Sequence, residues 1–283
     1  MVKPILIIGG LDPLAFRVIN FARQAGIPCD TLTSKSLLEV QGAELNKNLD
    51  NCYIKLKDHY IYPKKYAGIL SGYICDIASG DLDLAFQNST LERYWSEWNS
   101  FIGTILSLHP NVLNPPFYGA LNGHQPSIFW QITAINNVKG IIIPSIQLIA
   151  KAIKLDDPKE LHHFYSVSEN VITNMLPFNS KNLEPELIQV IFVDKEIISS
   201  TSLSNADGAT IMEIISIFRD EFFVRMGAIN ITKYKNQLYF KSFTNRPSIS
   251  SLPWKQQVLT LKKIVATLSG EGKHDSSQYI NNC

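Results

Sequence analysis

Short unbroken apolar runs and helical stripes alternate along the first half of the chain. Residues 3–9 (KPILIIG) form a continuous apolar run, the pattern of a strand buried on both faces. Gly9-Gly10-Leu11-Asp12-Pro13 makes the turn after it. Residues 14–26 place Leu14, Phe16, Val18, Ile19, Phe21, Ala22 and Ala25 at the spacing of one helix face, with Gly26 as C-cap and Pro28 as stop. Residues 29–32 read as a second strand. Strand, helix and strand in succession predict a parallel sheet over roughly the first 100 residues. A further strand is expected at 66–70 and a turn near 82–84. A helix at 90–108 is expected, with Thr90 as N-cap and a core-packing stripe of Trp95, Trp98, Ile102, Ile105 and Leu106. A strand-like run at 109–116 ends at Pro115-Pro116. A helix at 121–137 follows, with Pro126 in its first turn, and then a buried strand at 140–144.

The rhythm then changes. Residues 146–187 are mixed and polar, with one strand expected at 164–168. Residues 188–199 (IQVIFVDKEIIS) read as a hairpin turning at Asp194-Lys195. Residues 207–220 form an amphipathic helix through Ile211, Ile214, Ile215 and Phe218, with Asp207 as N-cap. Two adjacent strands follow, 222–233 and 237–244, separated by Tyr234-Lys235-Asn236 and stopped by Asn245-Arg246-Pro247. A closing helix spans 251–268 with Pro253 in its first turn. Residues 270–283 are polar and Gly-rich, as in a frayed tail. There are no internal repeats and no low-complexity segments. The expected fold class is α/β, turning to α+β in the C-terminal half.

Composition narrows the function classes. The 283 residues are 45% hydrophobic and 18% charged with a net charge of +1, an ordinary globular composition. That charge makes no electrostatic case for nucleic acid or an anionic membrane. Cys29, Cys52, Cys75 and Cys283 are widely spread without a CxxC, which reads as reduced thiols in a cytoplasmic protein rather than a disulfide framework or zinc site. The N-terminal apolar run is too short for a signal peptide and is closed by Asp12-Pro13. No apolar run approaches the ~18 residues a spanning helix needs; the longest, 141–153, contains Pro144 and Lys151. The oligomeric state is left open.

Little of the polar chemistry forms a motif. Gly9-Gly10 lacks the GxGxxG pattern and reads as a tight strand-to-helix turn. His162-His163 reads as a surface pair, Asp156-Asp157 before Pro158 as a helix start, and His109 and His124 as isolated structural residues. No nucleophile–base spacing is present. The last strand pair is the place where polar side chains gather, with Arg225, Asn230, Lys241 and Asn245 on it.

Taken together, the order of pieces resembles the ATP-grasp superfamily over residues 3–268, in particular RimK-like ligases and the peptide-modifying ligases of ribosomal natural-product pathways. The strand–helix–strand start resembles the pre-ATP-grasp domain. VLNPPF (112–117) and GIIIPS (140–145) around a helix, the hairpin at 188–199, and FFVRMGAINITKYKNQLYFKSFTNRP (222–247) resemble the family's later blocks in order. The resemblance implies four regions: a pre-ATP-grasp-like domain at 1–108, a reduced nucleotide-subdomain-like region at 109–187, an antiparallel sheet with helices at 188–268, and a flexible tail at 269–283. It also implies that the family's magnesium ligands fall at Asn230, Phe243 and Asn245, where only Asn245 keeps its type. Magnesium wants hard, mostly anionic oxygens, which Phe243 does not offer. After Pro116 there is no Lys before Lys139, no Gly lies between Gly140 and Gly208 to cradle phosphate, and the Arg expected at the hairpin start is Gln189. The expectation is a catalytically inactive ATP-grasp-like protein with no catalytic residue, metal or cofactor. It is expected to bind a peptide or partner protein, with Arg225, Lys241 and Arg246 as candidates to meet an acidic group. The alternative is an active ATP-dependent carboxylate-amine or peptide ligase using ATP and Mg²⁺ through displaced ligands.

Overall fold

The computed structural model describes residues 2–9, 13–33, 36, 39–46, 49–72, 89–115, 125–143, 145–149, 162–166, 171–175 and 186–270. The run of apolar residues at the start forms β1 (Ile5–Ile8), buried throughout. Helix α1 (Pro13–Gln24) follows and turns its Ala15, Val18, Ile19 and Ala22 inward. It ends as expected at Gly26, φ +72°. Gly26 N–H donates to Arg23 O and Ile27 N–H to Ala22 O, which satisfies the last carbonyls of the helix. The chain returns as β2 (Cys29–Leu32), crosses a small antiparallel sheet of β3 (Gly42–Glu44), β4 (Tyr53–Lys55) and β5 (Tyr60–Ile61), and re-enters as β6 (Gly68–Ser71). Helix α2 (Ser89–Leu108) and β7 (Val112–Leu113) complete this part. The sheet order is β2-β1-β6-β7, all parallel, as the sequence predicts.

Both faces of that sheet are covered, which is why its strands read as unbroken apolar runs. Ile5, Ile7 and Leu70 pack with Val18 and Ala22 of α1. Leu6, Ile8 and Ile69 pack with Ile102, Ile105 and Leu106 of α2 and with Ile54 and Ile61 of the small sheet. The side chains of Trp95 and Trp98 lie outside the described residues, as do the expected turn at 82–84 and the tail beyond residue 270.

Helix α3 (Ile128–Ile135) is shorter than the sequence suggests. Ser127 caps it by accepting from Trp130 N–H, so Pro126 lies just ahead of the cap rather than inside the first turn. The expected buried strand at 140–144 is only β8 (Ile141–Ile142), an edge strand that pairs with Leu238 and Tyr239. Residues 145–149, 162–166 and 171–175 hold three strands, where the sequence predicts one, at 164–168. Strands β9 (Ser145–Ile149), β10 (His162–Ser166) and β11 (Val171–Met175) form a three-stranded sheet, parallel between β9 and β10 and antiparallel between β10 and β11.

The C-terminal sheet has the order β13-β12-β14-β15-β8. Strands β12 (Glu186–Val193) and β13 (Glu196–Ser199) make the predicted hairpin, with Asp194 at φ +53°. Helix α4 (Asn205–Phe222) begins earlier than expected. Its N-cap is Ser204, whose Oγ accepts from Asp207 N–H at 3.1 Å. Asp207 cannot serve as the cap because its carboxylate receives Lys233 Nζ at 2.6 Å. That ammonium holds the Asp207 carboxyl below its ordinary range. The helix also runs on through Phe222, because Phe218 and Phe222 continue its buried stripe at i, i+4. The next strand, β14 (Met226–Tyr234), therefore starts four residues later than the apolar run suggests. Lys235 and Asn236, at φ +48° and +62°, form the two-residue turn into β15 (Gln237–Thr244), a type I′ hairpin. Helix α5 (Trp254–Ser269) closes the chain and packs on both large sheets: Ile264, Val265 and Leu268 join the core of the first, and Leu261 lies against Ile191, Ile198 and Ala228 of the second. Strand β7, beyond residue 108, pairs in parallel with β6 of the first sheet.

Candidate functional site

Strands β14 and β15 pair with a register in which Asn230 lies opposite Ser242 and Ile229 opposite Phe243. The next pair is Ile231 with Phe240, so Lys241 is the extra residue of a β-bulge. Side chains alternate between faces, and the register therefore sorts every polar candidate.

One face is core. Ile229, Ile231, Phe240 and Phe243 join Phe192 of β12 and Phe218 of α4 in a single buried cluster. The Phe243 ring lies 4.9 Å from that of Phe218 and 6.2 Å from that of Phe192, centroid to centroid. It also roofs Gly227, where an added Cβ would come within 2.5 Å of the Phe243 ring and 2.8 Å of Thr244 O. Phe243 is 2% exposed, and Asn245, just past the end of β15, is equally buried.

Here β15 runs past β8, and its free backbone is met by amide side chains. Gln131 of α3 accepts from Phe243 N–H at 2.8 Å and donates to Phe243 O at 3.1 Å. Gln125 donates to Phe243 O and accepts from Asn245 N–H at 2.9 and 2.8 Å. These contacts leave the buried edge of β15 satisfied without another strand.

The opposite face carries a polar row across three strands. Gln189 of β12 is paired with Asn230, and Asn230 with Ser242. Ser251 Oγ donates to Gln189 Oε1 at 2.6 Å, Gln189 Nε2 to Asn230 Oδ1 at 3.4 Å, and Asn230 Nδ2 to Ser242 Oγ at 3.0 Å. All three row residues are half-buried. Of the positions that the resemblance assigns to the magnesium, Asn230 is in this row, whereas Phe243 and Asn245 are not. Groups that grip one ion must share a face; Ser242, not Phe243, shares that of Asn230. The bulge at Lys241 is what moves the register by one, and no sequence signal marks it.

The row does not fit a magnesium ion. It contains no carboxylate, and each of its three oxygens already accepts a hydrogen bond, where the ion would need anionic oxygens in octahedral array. Among the described residues no group of three or more His, Cys, Asp and Glu could hold a metal.

The basic candidates separate as well. Arg225 Nε and Nη2 grip Asp194 at 2.7 and 2.8 Å, a bidentate pair, while Nη1 donates to Asn111 Oδ1 and Val112 O at 3.0 and 3.2 Å. Its guanidinium joins the β12–β13 turn to β7. Lys241 is half-buried at the bulge, and among the described residues it has no ion-pair partner. Arg246 is exposed, its N–H donating to Thr244 Oγ1.

Two asparagines not singled out in the sequence do much of the joining. Asn111 Nδ2 donates to Ala67 O, Thr267 O and Leu268 O. Asn114, at φ +56°, donates to Met226 O and Asn245 O and accepts from the N–H groups of Arg225 and Met226. A signal was available: asparagine is among the few residues that adopt left-handed backbone readily, and Asn114 precedes the rigid Pro115. His109, beside them, is 7% exposed, and burial pushes its imidazole below the ordinary value. His162 and His163 lie in β10, and His124 and Asp156-Asp157 fall outside the described residues.

No protein-family model and no curated protein matches the chain. Solved structures do. The macrocyclase MdnC bound with precursor peptide MdnA, from Microcystis aeruginosa MRC, is 14% identical with a TM-score of 0.58, covering 94% of this chain and 99% of that one. The ATP-grasp ligase PsnB complexed with minimal precursor, Mg and ADP is 11% identical with a TM-score of 0.64, covering 93% and 98%. A Chryseobacterium gregarium RiPP-associated ATP-grasp ligase in complex with ADP and a leader and core peptide is 12% identical with a TM-score of 0.61, covering 95% and 97%. The chain has the fold of these ATP-grasp ligases, as its order of elements predicts. No helix among the described residues is long and apolar enough to cross a membrane.

Proposed function

We propose that this chain is a catalytically inactive protein with the ATP-grasp fold that binds a peptide or partner protein as an accessory of a ribosomal peptide natural-product pathway. The observation that carries the reading is the row Gln189–Asn230–Ser242, neutral groups linked by hydrogen bonds where the resemblance places an Arg and one of its three metal ligands. The absence of glycine between Gly140 and Gly208 supports it, because phosphates are normally cradled by closely approached backbone N–H groups. Peptide binding is supported by the neighbours of this fold whose structures hold precursor peptides. The alternative, an active ATP-dependent ligase working through displaced ligands, is favoured only by the neighbours that hold ADP.

Calorimetric titration separates the two. The chain is expected to give no saturable heat with ATP and Mg²⁺, and to retain a peptide from a set encoded by short open reading frames beside its gene. Saturable ATP·Mg²⁺ binding would overturn the inactive reading. Retention of no peptide and no protein would overturn the binding role.

A further inference from the structure

The whole-chain charge of +1 conceals two unlike helix layers. Helix α4, over the core face of the C-terminal sheet, carries Asp207, Glu213, Asp220 and Glu221 against Arg219. Helices α1 and α5 carry no acid, only Arg17, Arg23, Lys255, Lys262 and Lys263. Lys263 is set against Glu196 at 3.1 Å. Arg17 Nη1 donates to the neutral amide of Gln257 at 2.6 Å, which leaves its charge in place. The two helices lie on one face of the parallel sheet, where Val18 and Ala22 of α1 share a cluster with Ile264, Val265 and Leu268 of α5. Their opposite sides face outward together. That side holds Phe16, Asn20 and Arg23 on α1, and Lys255, Leu259 and Lys262 on α5, each set at the i, i+4, i+7 spacing of one stripe. Trp254 opens α5, so the Arg17–Gln257 bond sets the Phe16 end of α1 beside the Trp254 end of α5. Phe16 is 59% exposed, Trp254 73% and Leu259 42%.

We infer that the α1–α5 layer docks on an anionic lipid surface, with Phe16, Trp254 and Leu259 dipping to the headgroup boundary and Arg17, Arg23 and Lys255 over the headgroups. Aromatic rings settle where headgroups meet acyl chains, because one side of the ring can meet hydrocarbon and the other water. Lys and Arg beside them are drawn to anionic headgroups. The attachment is from one side, since no helix among the described residues is long and apolar enough to cross a membrane. A protein partner suits the layer less well. A stable protein interface has a close-packed apolar centre with charge at its rim, whereas cations and apolar side chains alternate along both helices here. The inference is independent of the peptide-binding reading.

The test is co-sedimentation of the full chain with vesicles of phosphatidylcholine alone and of phosphatidylcholine with about 30% phosphatidylglycerol. The chain is expected to partition onto the anionic vesicles at least roughly ten-fold more strongly. Raising salt from about 0.1 M to about 0.5 M should weaken that partitioning several-fold, because the Debye length shortens. Lys255→Glu and Trp254→Ser are each expected to weaken it about five-fold, with circular dichroism and urea midpoint unchanged. Glu213→Lys, an equal charge change of opposite sign placed on α4, is expected to leave it within about two-fold of the native chain. Equal partitioning on the two kinds of vesicle, partitioning on neither, or a gain from Glu213→Lys as large as the loss from Lys255→Glu would overturn the inference. Concentration-dependent self-association that Lys255→Glu abolishes would assign the layer to a second copy of the chain and overturn it as well.

Discussion

The two faces of the C-terminal sheet are built from the same strands, one residue out of step. One holds Phe192, Phe240 and Phe243 under α4; the other holds Gln189, Asn230 and Ser242 half-exposed. The first is governed by close packing, where a change of shape is felt at once. The second is governed by hydrogen-bond chemistry and tolerates exchange of one polar group for another. One face therefore keeps a close-packed apolar core, while the other presents a row of neutral groups linked by hydrogen bonds.

The sharpest way to break this comparison is to place an acid on each face in turn. Phe243→Glu puts a carboxylate between Phe192 and Phe218, where burial of an unpaired charge costs on the order of 5 kcal/mol or forces protonation. The protein is expected to lose its cooperative urea transition. Ser242→Glu, one residue away, is expected to shift stability by less than about 1 kcal/mol. If both variants unfold at the same urea concentration, the assignment of faces is wrong.

A second variant tests what holds the two-faced sheet to the parallel one. Arg225 links Asp194 of the β12–β13 turn with Asn111 and Val112, and its side chain is 29% exposed. Arg225→Ala strands Asp194 and leaves Asn111 Oδ1 without that donor, an expected loss of about 2 kcal/mol in denaturant stability. Adding Asp194→Ala should then cost little more, since the partner has already gone. Full additivity of the two changes would show that the pair does not act as a unit.

Sequence reading reached the elements whose own period defines them. Continuous apolar runs gave β1 and β6, and helical spacing gave α1, α4 and α5 to within a few residues. It failed where long-range pairing decides. Residues 42–61, 145–149 and 171–175 are too polar and too short-periodic to declare strands, yet partners in their sheets supply the hydrogen bonds. The site shows the same limit: the resemblance points to Asn230 and Phe243, which the register places on opposite faces, and Ser242 shares the face of Asn230 because of a bulge at Lys241, which is fixed by pairing rather than by local composition. The sequence marks Arg225 as a cation, and only the fold brings Asp194 against it. Gln125 and Gln131, which complete the buried edge of β15, carry no periodic signal.

The smallest expected effect concerns acid. The polar row contains only amides and a hydroxyl, so acidification should not touch it. At the junction between the two sheets, buried His109 does titrate. Its Nδ1 lies 3.2 Å from both the N–H and the carbonyl oxygen of Asn111, and its Nε2 3.4 Å from Tyr66 O. Burial lowers its pKa in the folded state, so the unfolded chain takes up the proton first. The contribution is present above the ordinary value of 6.5 and is lost as pH falls through the lowered folded value. Asp207, whose carboxyl is also lowered, acts only below its ordinary 3.8, which leaves the window under pH 6.5 to histidine. Urea midpoints taken at pH 7.5 and pH 5.5, points chosen to bracket histidine titration, should fall more for the native chain than for His109→Gln. A glutamine there can keep both hydrogen-bond roles without titrating. Equal falls in the two proteins would move the acid sensitivity away from the junction.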